Sequence, residues 1–222
     1  MKKLLDLNPK LNFNEVLIIP SASDINSRND INLINTYKLP ISGINWTGIP
    51  IIASNMDYIG TLDMAKSLQE KKFLTALTKF HQQSDLIDAL TTNIDMNYVL
   101  PTFGMDTTKN IMNFISKIII ASQVETLIIV FDIANGYIKS FHKLIKEIRK
   151  EMPKLGIFAG NIVTGEGVKL LADAGVDAVK IGIGSGSVCT TSSITGIGYP
   201  QLSAILDCSE IIKKEGILSI SD

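Results

Sequence analysis

Residues 126–160 contain TLIIVFD (126–132), YIKSFHKLIKEIRKE (137–151) and LGIFAG (155–160). The first and third segments are apolar almost throughout, the pattern of a strand buried on both faces. The middle one places Ile138, Phe141, Ile145 and Ile148 at helical spacing with lysines opposite, which makes an amphipathic helix. Strand, helix and strand in this order predict two parallel strands joined by a right-handed crossover.

The same unit recurs on either side. IPIIAS (49–54), FLTAL (73–77) and YVLPT (98–102) precede it, and DAVKIGI (177–183) and ILSIS (217–221) follow. Helical patterns separate them: TLDMAKSLQEKK (61–72), TKNIMNFISKIIIA (108–121) and TGEGVKLLADAG (164–175). In the last, Thr164 is the N-cap and Gly175 the C-cap. Seven such strands are one short of a (β/α)8 barrel, which usually takes roughly 250 residues. The expected fold is α/β, a TIM barrel incomplete at its C-terminus, with residues 1–222 forming one domain. Residues 1–48 are expected as an N-terminal extension packing on the barrel, with a short strand of its own at EVLII (15–19).

Composition narrows the function. Of 222 residues 45% are hydrophobic and the formal net charge is -1, with Arg28 and Arg149 the only arginines. So neutral a balance supplies no field to gather nucleic acid or an anionic membrane, and neither is an expected partner. Two cysteines, Cys189 and Cys208, are too few for a disulfide framework, so a reducing, cytoplasmic location is expected. The opening MKKLLDLNPK is broken by Asp6 and Pro9 before any signal-peptide core develops. The most apolar region, Ile118 to Ala134, carries Gln123, Glu125 and Asp132 and falls short of the ~20 apolar residues of a membrane span.

In a barrel, chemistry gathers where strands end. Those ends hold Asn55, Lys79, Thr102, Asp132, Gly160 with Asn161, the loop after Ile183, and Asp222. That loop reads GIGSGSVCTTSSITGIGYPQ (182–201) and contains Cys189, with Val188 as its one apolar neighbour. Cysteine usually behaves as a small buried hydrophobe, and Cys208 within QLSAILDCSEIIKK fits that reading. Cys189 does not; a free thiol in a Gly/Ser/Thr loop at a barrel rim suits a nucleophile. Lys79 reads either as a solvated lysine or as a rim contact, His142 as a solvated helix residue and His81 as a neighbour of the rim. Gly182, Gly184 and Gly186 are spaced G-x-G-x-G, which lacks the dinucleotide and P-loop spacings. They suit instead a chain that curls to present carbonyl oxygens to a hard cation.

The segments PIIASNMDYIGTLDMAK (50–66), FDIANGY (131–137), AGNIVTGEGVKLLADAGVDAVKIGIG (159–184) and the Cys189 loop resemble, in order, the IMP dehydrogenase/GMP reductase family. Within it, NGY (135–137), GNIVTGE (160–166) and Tyr199 in GIGYPQ look like the reductase branch, and the dehydrogenase's regulatory insert is lacking. The resemblance implies an NADPH-dependent reductive deamination of GMP to IMP and ammonia through a thioimidate on Cys189, assisted by Thr191. It also implies cofactor contacts from Ser27, Arg28, Lys79, Asp132, Ile133, Ala134, Ile183 and Gly184, some across a subunit boundary of a homotetramer. Ser187 and Asp222 would meet the nucleotide, and the carbonyls of Gly184, Gly186 and Cys189 a potassium ion. Ser185 and Ser192 depart from the family's GPGS and CTTR, and Thr78-Lys79-Phe80 from its H-K-H. The family's phosphate-binding loops, mobile flap and catalytic glutamate would follow residue 222, so residues 1–222 alone are expected to lack turnover. IMP dehydrogenase, or a non-catalytic remnant that binds a partner subunit or nucleotide, are the alternative readings.

Overall fold

The computed structural model describes residues 9–80, 83–90 and 94–222. Its strands are β1 (Asn35–Lys38), β2 (Asn45–Ala53), β3 (Phe73–Ala76), β4 (Val99–Leu100), β5 (Thr102–Phe103), β6 (Ile128–Asp132), β7 (Gly156–Ile162), β8 (Ala178–Ile181) and β9 (Leu218–Ser221). The helices are α1 (Leu62–Gln69), α2 (Gln83–Leu90), α3 (Thr108–Ser122), α4 (Lys139–Glu151), α5 (Gly165–Ala172), α6 (Thr191–Thr195) and α7 (Gln201–Glu215).

From β2 onward every neighbouring pair is parallel and the strands lie side by side in chain order. Pro101, which has no N–H to give, separates β4 from β5. The ladder nevertheless crosses it: Leu77 N–H donates to the Leu100 carbonyl and Val130 N–H to the Pro101 carbonyl, both at 2.9 Å. Counting β4 and β5 as one, seven parallel strands curve around an interior, the TIM-barrel arrangement that the βα repeats predict. Among the described residues no strand pairs with the outer edge of β9.

Period-two alternation sorts the strand residues into two cores. On β6, Ile129 and Phe131 face outward with Phe141, Ile145 and Ile148 of α4, while Ile128 and Val130 face inward. The inner cluster also takes Phe158 from β7, Ala178 from β8, and Leu39, Ile44 and Trp46 from the β1–β2 hairpin, which plugs the end where the strands begin. Trp46 donates from its ring N–H to the Asn97 carbonyl at 2.8 Å, so its buried polar edge is satisfied.

Two expectations fail. EVLII forms no strand: Phe13–Glu15 is a single 3-10 turn, and Leu17, Ile18 and Ile19 are 95%, 96% and 88% exposed. A β-branched run makes a strand only where it pairs with an edge, and among the described residues no strand pairs with this one. His142 is no solvated residue: it is buried, and its Nε2 lies 2.7 Å from the Gly136 carbonyl oxygen. The ring shares the buried stripe of α4 with Phe141 and ties the helix to the loop after β6.

Candidate active site

The inward alternation continues past the apolar layer and turns polar at the C-terminal rim. Ile128 and Val130 lead to Asp132, Ala178 to Lys180, and Leu218 and Ile220 to Asp222. Asp132 is in register with Gly160, and Gly160 with Lys180. Lys180 is 5% exposed. Its Nζ lies 2.5 Å from Asp132 Oδ1, 3.4 Å from Asp222 Oδ2 and 3.5 Å from Asn55 Oδ1. Asn161 closes the group, donating from Nδ2 to the Gly182 carbonyl at 2.7 Å and to Asp222 Oδ2 at 2.5 Å. Burial works to raise the Asp132 carboxyl. The Lys180 charge and hydrogen bonds from Lys180 and Asn55, with Lys79 farther off, outweigh it and hold the group below the usual carboxylate range.

Above this network sits the loop between β8 and α7. Gly184, at φ 73°, takes a left-handed turn open to glycine at little cost. The loop is fastened at several points: Cys189 N–H donates to the Gly186 carbonyl at 3.0 Å, the Ser192 hydroxyl to the Gly184 carbonyl at 3.3 Å, and Tyr199 N–H to the Ile183 carbonyl at 3.0 Å. Buried Gln201 is its anchor. The Gln201 amide donates to the Ile181 carbonyl at 2.7 Å and to Ser221 Oγ at 3.0 Å, and accepts from the Ser185 hydroxyl at 2.8 Å.

Cys189 is exposed, and its thiol is held below the ordinary range. The causes are hydrogen bonds from the Thr191 side chain and backbone, then from the Gly184 backbone; slight burial and the Asp222 charge oppose them. Cys208 is buried, and burial together with the Asp207 charge pushes it up to about 12. Of the two thiols, one is exposed and favoured as thiolate and the other is core.

The structure brings Cys189, Thr191, Asp132, Ile183, Gly184 and Asp222 to one rim. Ile133 is held there by its N–H to the Gly160 carbonyl and its carbonyl to Asn161 N–H, and Ala134 follows exposed. Ser187 is exposed in the loop. Lys79 lines a separate cavity of about 530 Å³ with Phe103, Gly104 and Asp106. Ser27 and Arg28 lie in an exposed turn, Ser27 accepting from Asn29 N–H, and no hydrogen bond or ion pair joins them to the rim among the described residues. His81 lies outside the described residues. Lys180 and Gln201 are the residues that reading the sequence missed. Their signals were a lysine at an inward position of an apolar strand and an amide at the first turn of an amphipathic helix.

Among the described residues no cluster of His, Cys, Asp or Glu could hold a metal ion, and no helix is long and apolar enough to cross a membrane. A site built from carbonyls is a different matter. The Gly184 and Gly186 oxygens each accept one hydrogen bond within the loop and keep a second lone pair.

Comparison with known proteins gives the chain its family. The family described as IMP dehydrogenase / GMP reductase domain matches residues 10–222. A GMP reductase of Buchnera aphidicola (from Schizaphis graminum) is 44% identical over 204 residues, 90% of this chain and 57% of its own length. One of Onchocerca volvulus is 40% identical over 210 residues, 93% of this chain and 57% of its own. One of Vibrio parahaemolyticus is 40% identical over 215 residues, 96% of this chain and 61% of its own. The chain thus spans about three fifths of the length of the curated relatives it matches, and it belongs to the IMP dehydrogenase / GMP reductase family.

Proposed function

We propose that the chain carries the nucleophile and the inner rim of a GMP reductase, which converts GMP to IMP and ammonia at the expense of NADPH. The observation that carries this reading is Cys189: an exposed thiol, favoured as thiolate by Thr191 and the Gly184 backbone, facing the same rim as Asp222 and Asp132.

In this reading Cys189 Sγ attacks C2 of the guanine ring. The amine takes a proton from water, the C2–N2 bond breaks, ammonia departs, and a thioimidate remains on Cys189. Thr191, two residues on and the main cause that favours the Cys189 thiolate, is placed to hold the departing amine. NADPH, when bound, supplies the hydride that adds to C2. The C–S bond breaks as that addition completes, returning the thiolate and IMP. Asp222 holds the ribose, with Ser187 beside the nucleotide. Asp132, Ile133, Ala134, Ile183, Gly184 and Lys79 face the cofactor, and Ser27 and Arg28 belong to it through a neighbouring subunit of a homotetramer. The carbonyls of Gly184, Gly186 and Cys189 would hold potassium; their remaining lone pairs suit it, and the ion would brace the loop. A cytoplasmic location belongs to the same reading.

The test is ligand protection. GMP should slow brief alkylation of Cys189 and leave Cys208 unaffected; equal labelling of Cys189 with and without GMP overturns the assignment. The direction of absorbance change at the NADPH wavelength separates the readings: loss with GMP marks the reductase, gain from NAD⁺ with IMP the dehydrogenase, and no change with either the non-catalytic remnant.

A further inference from the structure

Lys180 is the one cation that forms an ion pair with either rim carboxylate among the described residues. A buried ammonium must have its three N–H donors satisfied. Here three acceptors stand around it: Asp132 Oδ1 at 2.5 Å, Asp222 Oδ2 at 3.4 Å and Asn55 Oδ1 at 3.5 Å. They come from the ends of β6, β9 and β2.

The reach to Asp132 depends on Gly160, which sits between the two in register. A Cβ at 160 would lie 2.5 Å from Lys180 Cβ and 2.6 Å from its carbonyl oxygen, so the backbone can approach this closely only as glycine. On the other side Asn161 holds Asp222 in place at 2.5 Å.

We propose that Lys180 is a positioning residue that fixes Asp132 and Asp222 relative to each other, so that a single buried cation sets the cofactor side of the rim against the nucleotide side. The proposal rests on the GMP reductase reading for the two ligands, though not for the coupling of the two carboxylates. With one ammonium serving both, displacing either carboxylate moves the cation and changes the field at the other. Lys79 adds charge near Asp132 but makes no ion pair with it, so it cannot take over that role.

The experiment is a pair of double-mutant cycles. In the ligand-free protein, urea midpoints are measured for Lys180→Met, Asp132→Asn, Asp222→Asn and the two lysine–aspartate doubles. The lysine substitution should lower the midpoint less in each aspartate variant than in the wild type. Full additivity in both cycles overturns the proposal. Equilibrium binding of GMP and of NADPH forms the second readout. Lys180→Met should weaken both by roughly tenfold, the scale of a lost charge-assisted hydrogen bond. In Asp132→Asn the lysine effect on NADPH should vanish while that on GMP remains but changes in size, and in Asp222→Asn the reverse. A loss of packing alone would weaken both ligands in every background, which would also overturn the proposal. A wild-type chain that binds neither ligand counts against the functional reading, and the urea cycles still decide the role of Lys180. Should Lys180→Met fail to fold, the Lys180→Met/Asp132→Asn/Asp222→Asn triple removes all three charges. Its folding supports the proposal, because no carboxylate is then left without its counter-charge; its failure shows that the fold itself needs these hydrogen bonds and overturns it.

Discussion

The guanidinium of Arg149 donates to the carboxylate of Asp177 at 2.8 Å, and this pair fastens the end of the barrel opposite the site. Asp177 is fully buried and accepts five hydrogen bonds: Ile41 N–H, Ser42 N–H and the Ser42 hydroxyl on one oxygen, Arg149 and Ile157 N–H on the other. One carboxylate thereby ties the turn after β1 to α4 and β7.

Asp177→Asn should be strongly destabilising, because an amide cannot accept on both sides and leaves a half-buried guanidinium without its counter-charge. Breaking a buried pair from one side costs about 3–5 kcal/mol. Asp173→Asn, which loses only an exposed pair with Lys169, should cost no more than ~0.5 kcal/mol. Urea unfolding of the two variants measures the contrast; equal losses would remove Asp177 from its anchoring role.

The two cysteines should differ in rate by orders of magnitude. With Cys208 pushed up to about 12, almost none of its thiol is ionised at pH 8, and it is buried as well. Cys189 is exposed and favoured as thiolate. Thr191→Val removes the larger hydrogen bond to the sulfur, so the labelling profile of Cys189 should move to higher pH and its rate at neutral pH should fall several-fold. Peptide mapping after brief alkylation reads both; faster labelling of Cys208 contradicts the assignment.

How far the sequence was legible depended on what kind of signal each residue left. The strands announced themselves because burial on both faces leaves long β-branched runs, as in TLIIVFD, and Pro101 alone split one of them. EVLII carried the same kind of apolar run but pairs with no edge among the described residues, since strand formation is decided by partners far away in the chain. Cys189 stood out by its lack of apolar neighbours. Lys180 did not, because within DAVKIGI its polarity looked like a blemish in a strand; only the inward register shared with Ala178 makes it a rim residue. His142 was misjudged for a related reason. Its position one step from Phe141 puts it on the edge of the buried stripe, where a carbonyl happens to meet it.

The acid limb of stability should report on Asp132. Its folded carboxyl lies below the ordinary value, so the unfolded chain, at ~3.9, binds the proton more readily. Stability therefore falls as pH drops below about 4 and through the folded value, and the contribution is fully present above that range. Asp132→Asn should flatten this part of the curve while lowering stability at neutral pH. An unchanged acid limb would mean that the pair with Lys180 adds nothing net to the fold.

Gln201 should control the loop more than the barrel. Its amide links the end of β8 at Ile181, the end of β9 at Ser221 and the loop at Ser185, from a position that is 8% exposed. The Ile181 carbonyl also accepts from Asp222 N–H at 2.9 Å, so it keeps a partner when the glutamine is lost. Gln201→Leu keeps the volume but removes the amide's hydrogen bonds to Ser185, which is half-buried, and to Ser221, which is exposed to water, at a cost of about 1 kcal/mol. Ser185→Ala removes the loop bond alone and should cost less than half as much. Both variants untie the loop from its anchor, so amide exchange over residues 184–190 should quicken in both, while exchange in β6 and β7 stays slow. If Gln201→Leu speeds exchange in the strands as much as in the loop, the glutamine is a core residue of the barrel and not the anchor of the nucleophile.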